Sequence, residues 1–238
     1  MPSNVTRRGF LGAAGAAAAV GAVAGTVQAA EQRASGPAKA IKILAIGCSP
    51  KEQSSTAAAL QVCLEAAQAV DPAHIEIELI KLAGLKINGN LAAGVPLEPG
   101  ERDDFPPLVP KLSDPAVAGI IIGSPVYFGN MSSLCKAFLE RLMTCRKDGF
   151  TLSNKIGGVL AVGGARNGGQ ELTIKSIQTV LFSQEMIVVG ETRPTAHFGP
   201  GVWNNKDFGD VTKDEVGMAV VKALGRRVAE VARLVAKA

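Results

Sequence analysis

Apolar and polar residues follow two different periods along this chain, and each change of period marks a predicted element. Short β-branched runs, as at residues 118–123, predict strands that are buried on both faces. Stretches with apolar residues three and four apart, as at residues 134–143, predict amphipathic helices. Strands are predicted at residues 41–47, 74–82, 118–123, 155–164 and 185–191, and helices or helix-sized segments at residues 56–70, 103–114, 134–143, 171–184 and 213–237.

The alternation of strands with helices predicts an α/β fold. Repeated strand-helix-strand units form parallel sheets, because each helix returns the chain to the same edge of the sheet. Five strands of this kind suit a doubly wound three-layer sandwich with strand order 2-1-3-4-5. In such a sheet the loops after the first, third and fourth strands leave from one edge, where ligands bind.

The first thirty residues predict a targeting signal rather than a part of the fold. Arg7 and Arg8 are followed by Phe-Leu and by an uncharged run rich in alanine and glycine. With small residues up to Ala29, this segment is similar to a twin-arginine signal, which predicts cleavage near Ala29, use of the twin-arginine export machinery and a periplasmic location. That route carries folded proteins, often with a cofactor inside, so it favours a bound cofactor. The alternative is an uncleaved membrane anchor.

The remaining chain has the composition of one globular domain. Residues 31–40 read as a flexible leader and residues 41–238 as the folded body, with ample hydrophobic content for a core. Neither the formal charge of +4 nor any basic run indicates nucleic-acid binding. No metal or cluster motif is recognisable in the spacing of the cysteines, and Cys135 and Cys145 are expected on one helix, too far apart for a disulfide. All four cysteines are therefore interpreted as small buried hydrophobes, although an oxidising compartment would permit disulfides.

Hydroxyl groups cluster in the loop after the first strand. Ser49, Ser54, Ser55 and Thr56 surround the start of a predicted helix, together with Lys51. Hydroxyl donors and free N–H groups at the positive end of a helix dipole form a phosphate cradle. The alternative interpretation is an ordinary helix cap, because serine and threonine are also the usual N-cap residues.

Aromatic and amide side chains follow the third strand. Pro125 and Gly129 shape the backbone there, and Tyr127 and Phe128 offer flat apolar surfaces. Asn130 both donates and accepts hydrogen bonds, so it suits a carbonyl or ring nitrogen of a ligand. Lid packing is the alternative role for such aromatics, but their position beside a phosphate loop favours a ring-binding site.

Glycines dominate the loop after the fourth strand, at residues 163–169. They let a backbone approach a ligand closely, and Arg166 offers a positive charge near an electron-rich ring. Gly163, Ala165 and Gly168 nearly match the dinucleotide fingerprint G-x-G-x-x-G. That fingerprint belongs to the first strand-helix turn of a Rossmann half, so nicotinamide binding is not expected at this loop.

Together the motifs "GSPVYFGNMSS" and "GGARNGGQE" resemble those of the NADPH-dependent FMN reductase group of flavodoxin-like proteins, nearest its iron-sulfur flavoprotein branch. The resemblance covers about residues 41–190. It implies a flavodoxin-like fold, noncovalent FMN, NAD(P)H as a donor, a role for Glu171 in holding the last loop, and a homodimer or homotetramer. It places the phosphate at Ser49, Lys51, Ser54, Ser55 and Thr56, and the flavin ring at Pro125, Val126, Tyr127, Phe128, Gly129, Asn130, Gly163, Gly164, Ala165, Arg166, Gly168 and Gly169.

Two departures from that pattern change what is expected. The iron-sulfur branch carries its cluster cysteines after the second strand, where residues 83–102 hold none, so no iron-sulfur cluster is expected. The relatives of this group are mostly cytoplasmic, whereas an exported chain is not expected to meet a nicotinamide pool. The physiological electron donor is therefore the least transferable part of the resemblance.

Three functions remain open at this point. The first is an exported FMN enzyme that passes electrons to a quinone or similar small acceptor, with no catalytic side chain because the flavin supplies the chemistry. The second is an FMN-binding electron carrier that docks to a redox protein, and the third is a flavin-free binding module. The loops at residues 83–102 and 192–209 discriminate between the first two functions. A closed pocket with His197, Phe198 or Trp203 as its lid would favour a substrate site, and an open ring edge would favour docking.

Overall fold

The computed structural model describes residues 39–205 and 210–237, so the predicted signal and almost all of the predicted leader lie outside the described residues. The strands are β1 (Ile41–Gly47), β2 (Ile75–Lys81), β3 (Val117–Tyr127), β4 (Asn130–Met131), β5 (Ile156–Gly163), β6 (Ile187–Val188) and β7 (Gly201–Trp203). The helices are α1 (Ser55–Gln68), α2 (Val109–Ser113), α3 (Ser133–Arg141), α4 (Met143–Lys147), α5 (Gln170–Phe182) and α6 (Glu215–Ala236). Short 3-10 turns lie at Gly89–Ala93, Pro106–Leu108 and Val211–Lys213.

The main strands form a parallel sheet in the order β2-β1-β3-β5-β6. Counted without the two-residue β4, this is the predicted order 2-1-3-4-5, which is confirmed. The fifth strand is much shorter than predicted, because β6 pairs only with the start of β5. The chain leaves the sheet at Gly190, where an added Cβ would lie 2.0 Å from the carbonyl oxygen of His197, and it returns as β7 beside the end of β5.

Two apolar clusters fill the space on the two faces of the sheet. Alternate residues of β1 point to opposite faces, so Leu44 and Ile46 belong to one cluster and Ile43 belongs to the other. The first cluster packs under α3 and α5, and the second packs under α1 and α6. These contacts give the predicted three layers. Within the described ranges, no helix is long and apolar enough to cross a membrane.

All four cysteines are buried free thiols. Burial raises the pKa of Cys63 to about 12, and it also raises that of Cys48, so both sulfurs stay protonated at neutral pH. The interpretation as small buried hydrophobes agrees with this burial. Cys135 and Cys145 do not share one helix as expected, because α3 ends at Arg141 and α4 begins at Met143.

The segment at residues 83–104 packs along α3. It begins at the carboxyl edge of the sheet, where a Cβ added to Gly84 would lie 3.6 Å from Glu52 Oε1. It then leaves that edge and is fixed to α3 by Arg141, which donates to Asp103 Oδ1 over 2.7 Å and stacks 4.7 Å from the centre of the Phe105 ring. Only the first residues of this segment therefore lie at the carboxyl edge of the sheet.

Replacing Arg141 with alanine is expected to destabilise the fold. The Arg141 and Asp103 side chains are each only 10% exposed, so the variant leaves a buried carboxylate without its cation. Breaking a buried ion pair by removing one partner costs about 3 kcal/mol in the free energy of unfolding. Urea denaturation measures the change, and Arg226→Ala on the exposed side of α6 is the control, expected to change it by less than about 0.5 kcal/mol. A similar small loss for both variants would contradict the assignment.

Candidate functional site

The three predicted ligand loops meet at the carboxyl edge of the sheet. Strands β1, β3 and β5 are neighbours and parallel, so the loops that follow them leave side by side. Two contacts join these loops across long sequence separations. The Ser132 Oγ donates to the carbonyl oxygen of Cys48 over 2.7 Å, and the backbone of Gly169 lies against that of Gly129.

The first loop ends in the N-terminus of α1. Ser54 is its N-cap, and its Oγ accepts from the N–H of Ala57 over 3.1 Å. The buried Ser49 Oγ accepts from the N–H of Lys51 over 3.2 Å. A hydroxyl that accepts one bond can still donate its own hydrogen, so capping and phosphate binding are compatible at both serines. The first-turn N–H groups of α1, which have no acceptor within the helix, point to the same place.

The second loop is a tight hairpin between β3 and β4. Tyr127 pairs with Asn130, and the two turn residues, Phe128 and Gly129, have φ angles of 50° and 74°. Two positive φ angles are typical of the two-residue turn that matches the twist of a hairpin. The Phe128 side chain is fully exposed at the tip, while the Asn130 Oδ1 accepts from the N–H of Met131 over 2.8 Å. The amide nitrogen of Asn130 remains the group that could donate to a ligand.

Gln170 holds the third loop closed. Its Nε2 donates to the carbonyl oxygen of Ala165 over 2.6 Å, and its Oε1 accepts from the N–H of Gly168 over 2.7 Å. A Cβ on Gly163 would lie 2.5 Å from the same amide nitrogen, so a larger residue there would displace the Gln170 amide from its two bonds. The resemblance assigns this holding role to Glu171, but the bonds come from Gln170, and Glu171 is exposed at the first turn of α5.

The third loop also touches the hairpin. Gly169 has a φ of 101°, and a Cβ placed on it would lie 2.7 Å from the Cα of Gly129. Two sequence motifs 40 residues apart are thus in backbone contact. In contrast, a Cβ on Gly129 or Gly164 would meet nothing within 4 Å, so the backbone at these two glycines faces open space. Bare backbone of this kind is what a flat ring needs for close approach.

The side chain of Arg166 turns away from the hairpin. Its guanidinium lies 4.5 Å from the ring centre of Trp203 and 3.5 Å from Asp214 Oδ1. The buried Asp214 in turn caps α6 and accepts from the N–H of Trp203 over 2.8 Å. The electron-rich ring beside this arginine in the structure is therefore Trp203, and a place for Arg166 beside a flavin ring stays a prediction.

Sequence reasoning missed the residues that hold the loops together. Ser132 caps α3 by accepting from the N–H of Cys135, and its own N–H donates to the Oγ of Ser124. A serine directly before a helical pattern is a cap signal, so Ser132 was recognisable as an N-cap. Its bond to Cys48, which joins the first and second loops, has no sequence signal. The bonds of Gln170 within its loop and the bond of Asp214 to Trp203 likewise have no sequence signal.

Ser132→Ala is expected to lower the free energy of unfolding by about 2 kcal/mol, because it removes a cap and leaves the buried carbonyl of Cys48 unpaired. Urea denaturation of the variant measures this loss. Ser176→Ala is the matched control, since the Ser176 Oγ makes one exposed bond to its own helix backbone. Equal effects of the two substitutions would contradict the bridging role of Ser132.

In the residues that the structure describes, the two long loops line separate cavities. Residues 86–102 line a cavity of about 830 Å³ against α3, whereas His197, Phe198 and Trp203 line a separate cavity of about 560 Å³ beside α5 and α6. The ring of Phe198 lies under Lys175, whose Nζ is 4.1 Å from its centre, and Trp203 lies under Arg166. In the described part of the chain, the predicted lid residues therefore line a cavity that contains no hairpin residue, and Tyr127 and Phe128 of the hairpin are exposed.

Solved structures of other proteins identify the fold class of this chain. The fold matches that of an oxidoreductase from Corynebacterium diphtheriae with a TM-score of 0.59 and 21% identity, covering 84% of this chain and 98% of that one. It also matches a flavodoxin, WrbA-like protein from Agrobacterium tumefaciens, with a TM-score of 0.58 and 15% identity, covering 82% and 99%. The chain is a flavodoxin-like α/β protein, as its strand order predicted.

The family follows from sequence comparison. Residues 41–200 match the model of the NADPH-dependent FMN reductase family, to which this chain belongs. The chain is 38% identical over 200 residues to the iron-sulfur flavoprotein MJ1083 of Methanocaldococcus jannaschii, covering 83% of this chain and all of that protein. It is an FMN-dependent oxidoreductase of the NAD(P)H-using type, as the sequence analysis predicted.

Proposed function

We propose that this protein binds FMN at the carboxyl edge formed by the three loops and passes electrons from NAD(P)H to a quinone or similar small acceptor. The observation that carries the proposal is the contact between Gly169 and Gly129, which brings two separately predicted ring-binding motifs into one site. A relative from Archaeoglobus fulgidus, 37% identical over 116 residues, is named NAD(P)H dehydrogenase (quinone). The match covers 48% of this chain and 58% of that protein, and it supports a quinone as the acceptor.

The residues of this edge fit the two ends of FMN. Ser49, Ser54 and the first-turn N–H groups of α1 are donors at the positive end of a helix, which suits the phosphate. The hairpin and residues 163–169 offer backbone and the exposed Phe128, which suit the flat ring. Bound FMN would accept a hydride from the nicotinamide and deliver electrons to the acceptor.

The work of the protein is to hold and orient this group. The Ser132 bond and the Gly169 contact fix the spacing between the phosphate end and the ring end of the site. The closed loop of Gln170 fixes the backbone groups that face the ring. No side chain at this edge has to act as a general base, because hydride and electron transfer are supplied by the cofactors.

An anaerobic titration tests the proposal. The purified protein is saturated with FMN, reduced with NADPH and then mixed with a quinone, while the visible flavin bands are recorded. We expect the bands to bleach with NADPH and to return with quinone. Bands that bleach only with a chemical reductant would contradict the NAD(P)H donor, and a protein that binds no FMN would contradict the site and support a flavin-free binding module.

The second candidate function is electron transfer to a docked redox protein without a small-molecule substrate. The observation that favours it is the open hairpin edge, where Phe128 is fully exposed and Tyr127 is 43% exposed.

An exposed aromatic edge also suits a second copy of this chain, and we propose a homodimer or homotetramer on the same ground. Analytical ultracentrifugation of the protein and of Phe128→Ser tests this assembly, with a monomeric wild-type protein as the contradicting result.

We also propose that the protein is exported to the periplasm through the twin-arginine route, where a reductant other than the nicotinamide pool would have to reduce the flavin. The support is the sequence at Arg7 and Arg8, which lies outside the described residues. Replacing both arginines with lysine is expected to retain the protein in the cytoplasm as its longer precursor. Export of this variant at the wild-type level would contradict the twin-arginine route, and fractionation with immunoblotting measures the outcome.

A further inference from the structure

A groove lies between α3 and α5 and ends at β4 of the hairpin. It holds about 570 Å³, within the range of small-molecule sites. Its lining comes mostly from α5, with β4 at one end and Lys136 of α3 on the opposite side. Of the residues predicted to hold FMN, only Asn130 lines the groove. The groove is therefore a neighbour of the predicted flavin site and not a part of it.

The floor of the groove is apolar and belongs to the packed fold. Met131 and Val180 are half-buried and pack against the apolar cluster under α3 and α5. Leu172 forms the rim and is 66% exposed. Each of these three side chains keeps surface that a ligand in the groove can contact. Exposed apolar surface that continues into a half-buried floor is typical of a binding groove.

The charged residues that line the groove are two lysines. The Lys175 Nζ lies 4.1 Å from the centre of the Phe198 ring, and it forms no ion pair with a carboxylate among the described residues. The Lys136 side chain is 53% exposed and pairs with Glu140, which lines the cavity at residues 86–102 instead. Within the described chain, no aspartate or glutamate lines the groove.

Both ammonium groups can turn toward a ligand in the groove. Lysine carries its charge on a flexible four-carbon stem, and both side chains are exposed. Exposed cation–π contacts and exposed ion pairs are weak, so an anion in the groove can compete with Phe198 and Glu140 for the two lysines. Two positive charges at an apolar floor, without an acidic residue in the lining, favour an anion with an apolar body and disfavour a cation.

We propose that this groove binds a small amphiphilic organic anion, namely a carboxylate or sulfonate on an apolar ring system. The ring system lies against Met131, Val180 and Leu172, and the anionic group pairs with Lys175 and Lys136. This binding does not depend on the proposed electron transfer.

Isothermal titration calorimetry with naphthalene-2-sulfonate tests the groove on the purified protein, with and without saturating FMN. The matched cation is 1-naphthylmethylamine. We expect the sulfonate to bind with a Kd at or below about 1 mM in both conditions and the cation to bind at least about tenfold more weakly. Lys175→Gln is expected to weaken sulfonate binding at least about fivefold, and Lys222→Gln, on the exposed side of α6, leaves it unchanged.

Three results would overturn the proposal. The first is equal affinity for the sulfonate and the cation, and the second is equal affinity of the wild-type and Lys175→Gln proteins for the sulfonate. The third is no binding of the sulfonate at about 10 mM, as expected if a second copy of the chain covered the groove.

A second variant tests the place of binding without changing a charge. Thr179 lines the groove from an exposed position of α5, and its Oγ1 bonds only to its own helix backbone, so Thr179→Trp is tolerated by the fold and fills the groove. We expect this variant to lose sulfonate binding while it keeps its FMN affinity. Unchanged sulfonate binding would place the probe elsewhere and overturn the proposal. FMN affinity measured in parallel separates this failure from a failure of the flavin site.

Discussion

Gly169→Val is expected to weaken FMN binding about 1,000-fold, which corresponds to about 4 kcal/mol. Gly169 has a φ of 101°, which a β-branched residue adopts only with strain, and its Cβ would lie 2.7 Å from the Cα of Gly129. Backbone cannot move aside as a flexible side chain can, so the loop and the hairpin must separate. Flavin fluorescence quenching measures the affinity.

A matched control separates this effect from backbone strain alone. Gly149 has a φ of 77°, and a Cβ added there would meet nothing within 4 Å. Gly149→Val therefore carries similar strain at a position that belongs to none of the three loops, and we expect its FMN affinity to equal that of the wild-type protein. If both variants lost affinity equally, the contact between the loop and the hairpin would not be what forms the ring site.

The double variant Gly129→Val with Asn130→Ala is expected to weaken FMN binding about 300-fold, or about 3.4 kcal/mol. Valine disfavours the φ of 74° that the hairpin turn requires, and it also fills the open space in front of the backbone. The alanine removes the amide nitrogen that could donate to the ring. The sheet is expected to stay intact, because only the hairpin tip changes.

Circular dichroism and urea denaturation check that the double variant is folded. A folded double variant with unchanged FMN affinity would contradict the assignment of the hairpin to the ring. Gly149→Val again serves as the control for a β-branched residue at positive φ. The single variant Asn130→Ala then separates the loss of the amide from the change of turn.

The period of apolar residues was sufficient to predict the three layers of this fold, because each strand and helix carries its own local signal. The fifth strand was the exception. Residues 185–191 have the composition of a strand, but only Ile187–Val188 pair with β5. The chain turns out at Gly190 against the carbonyl of His197, and β7 takes the remaining place beside β5. Such a return depends on contacts between distant residues, which a local pattern does not contain.

The candidate site likewise has parts that a local sequence pattern predicts and parts that depend on contacts between distant residues. The hairpin and the glycine loop were recognisable because both are rich in glycine, and Gly129 and Gly169 take positive φ angles that favour this residue. Their mutual contact, the bridge from Ser132 to Cys48, and the engagement of Arg166 by Trp203 are tertiary.

A crystal structure of the protein with bound FMN tests the central claim most directly. We expect the phosphate at the N-terminus of α1, within hydrogen-bond distance of Ser54 and the first-turn N–H groups, and the ring between the hairpin at Phe128 and the loop at residues 163–169. A flavin seated in the cavity beside Phe198 and Trp203, or a crystal saturated with FMN that shows none at the carboxyl edge, would contradict the account.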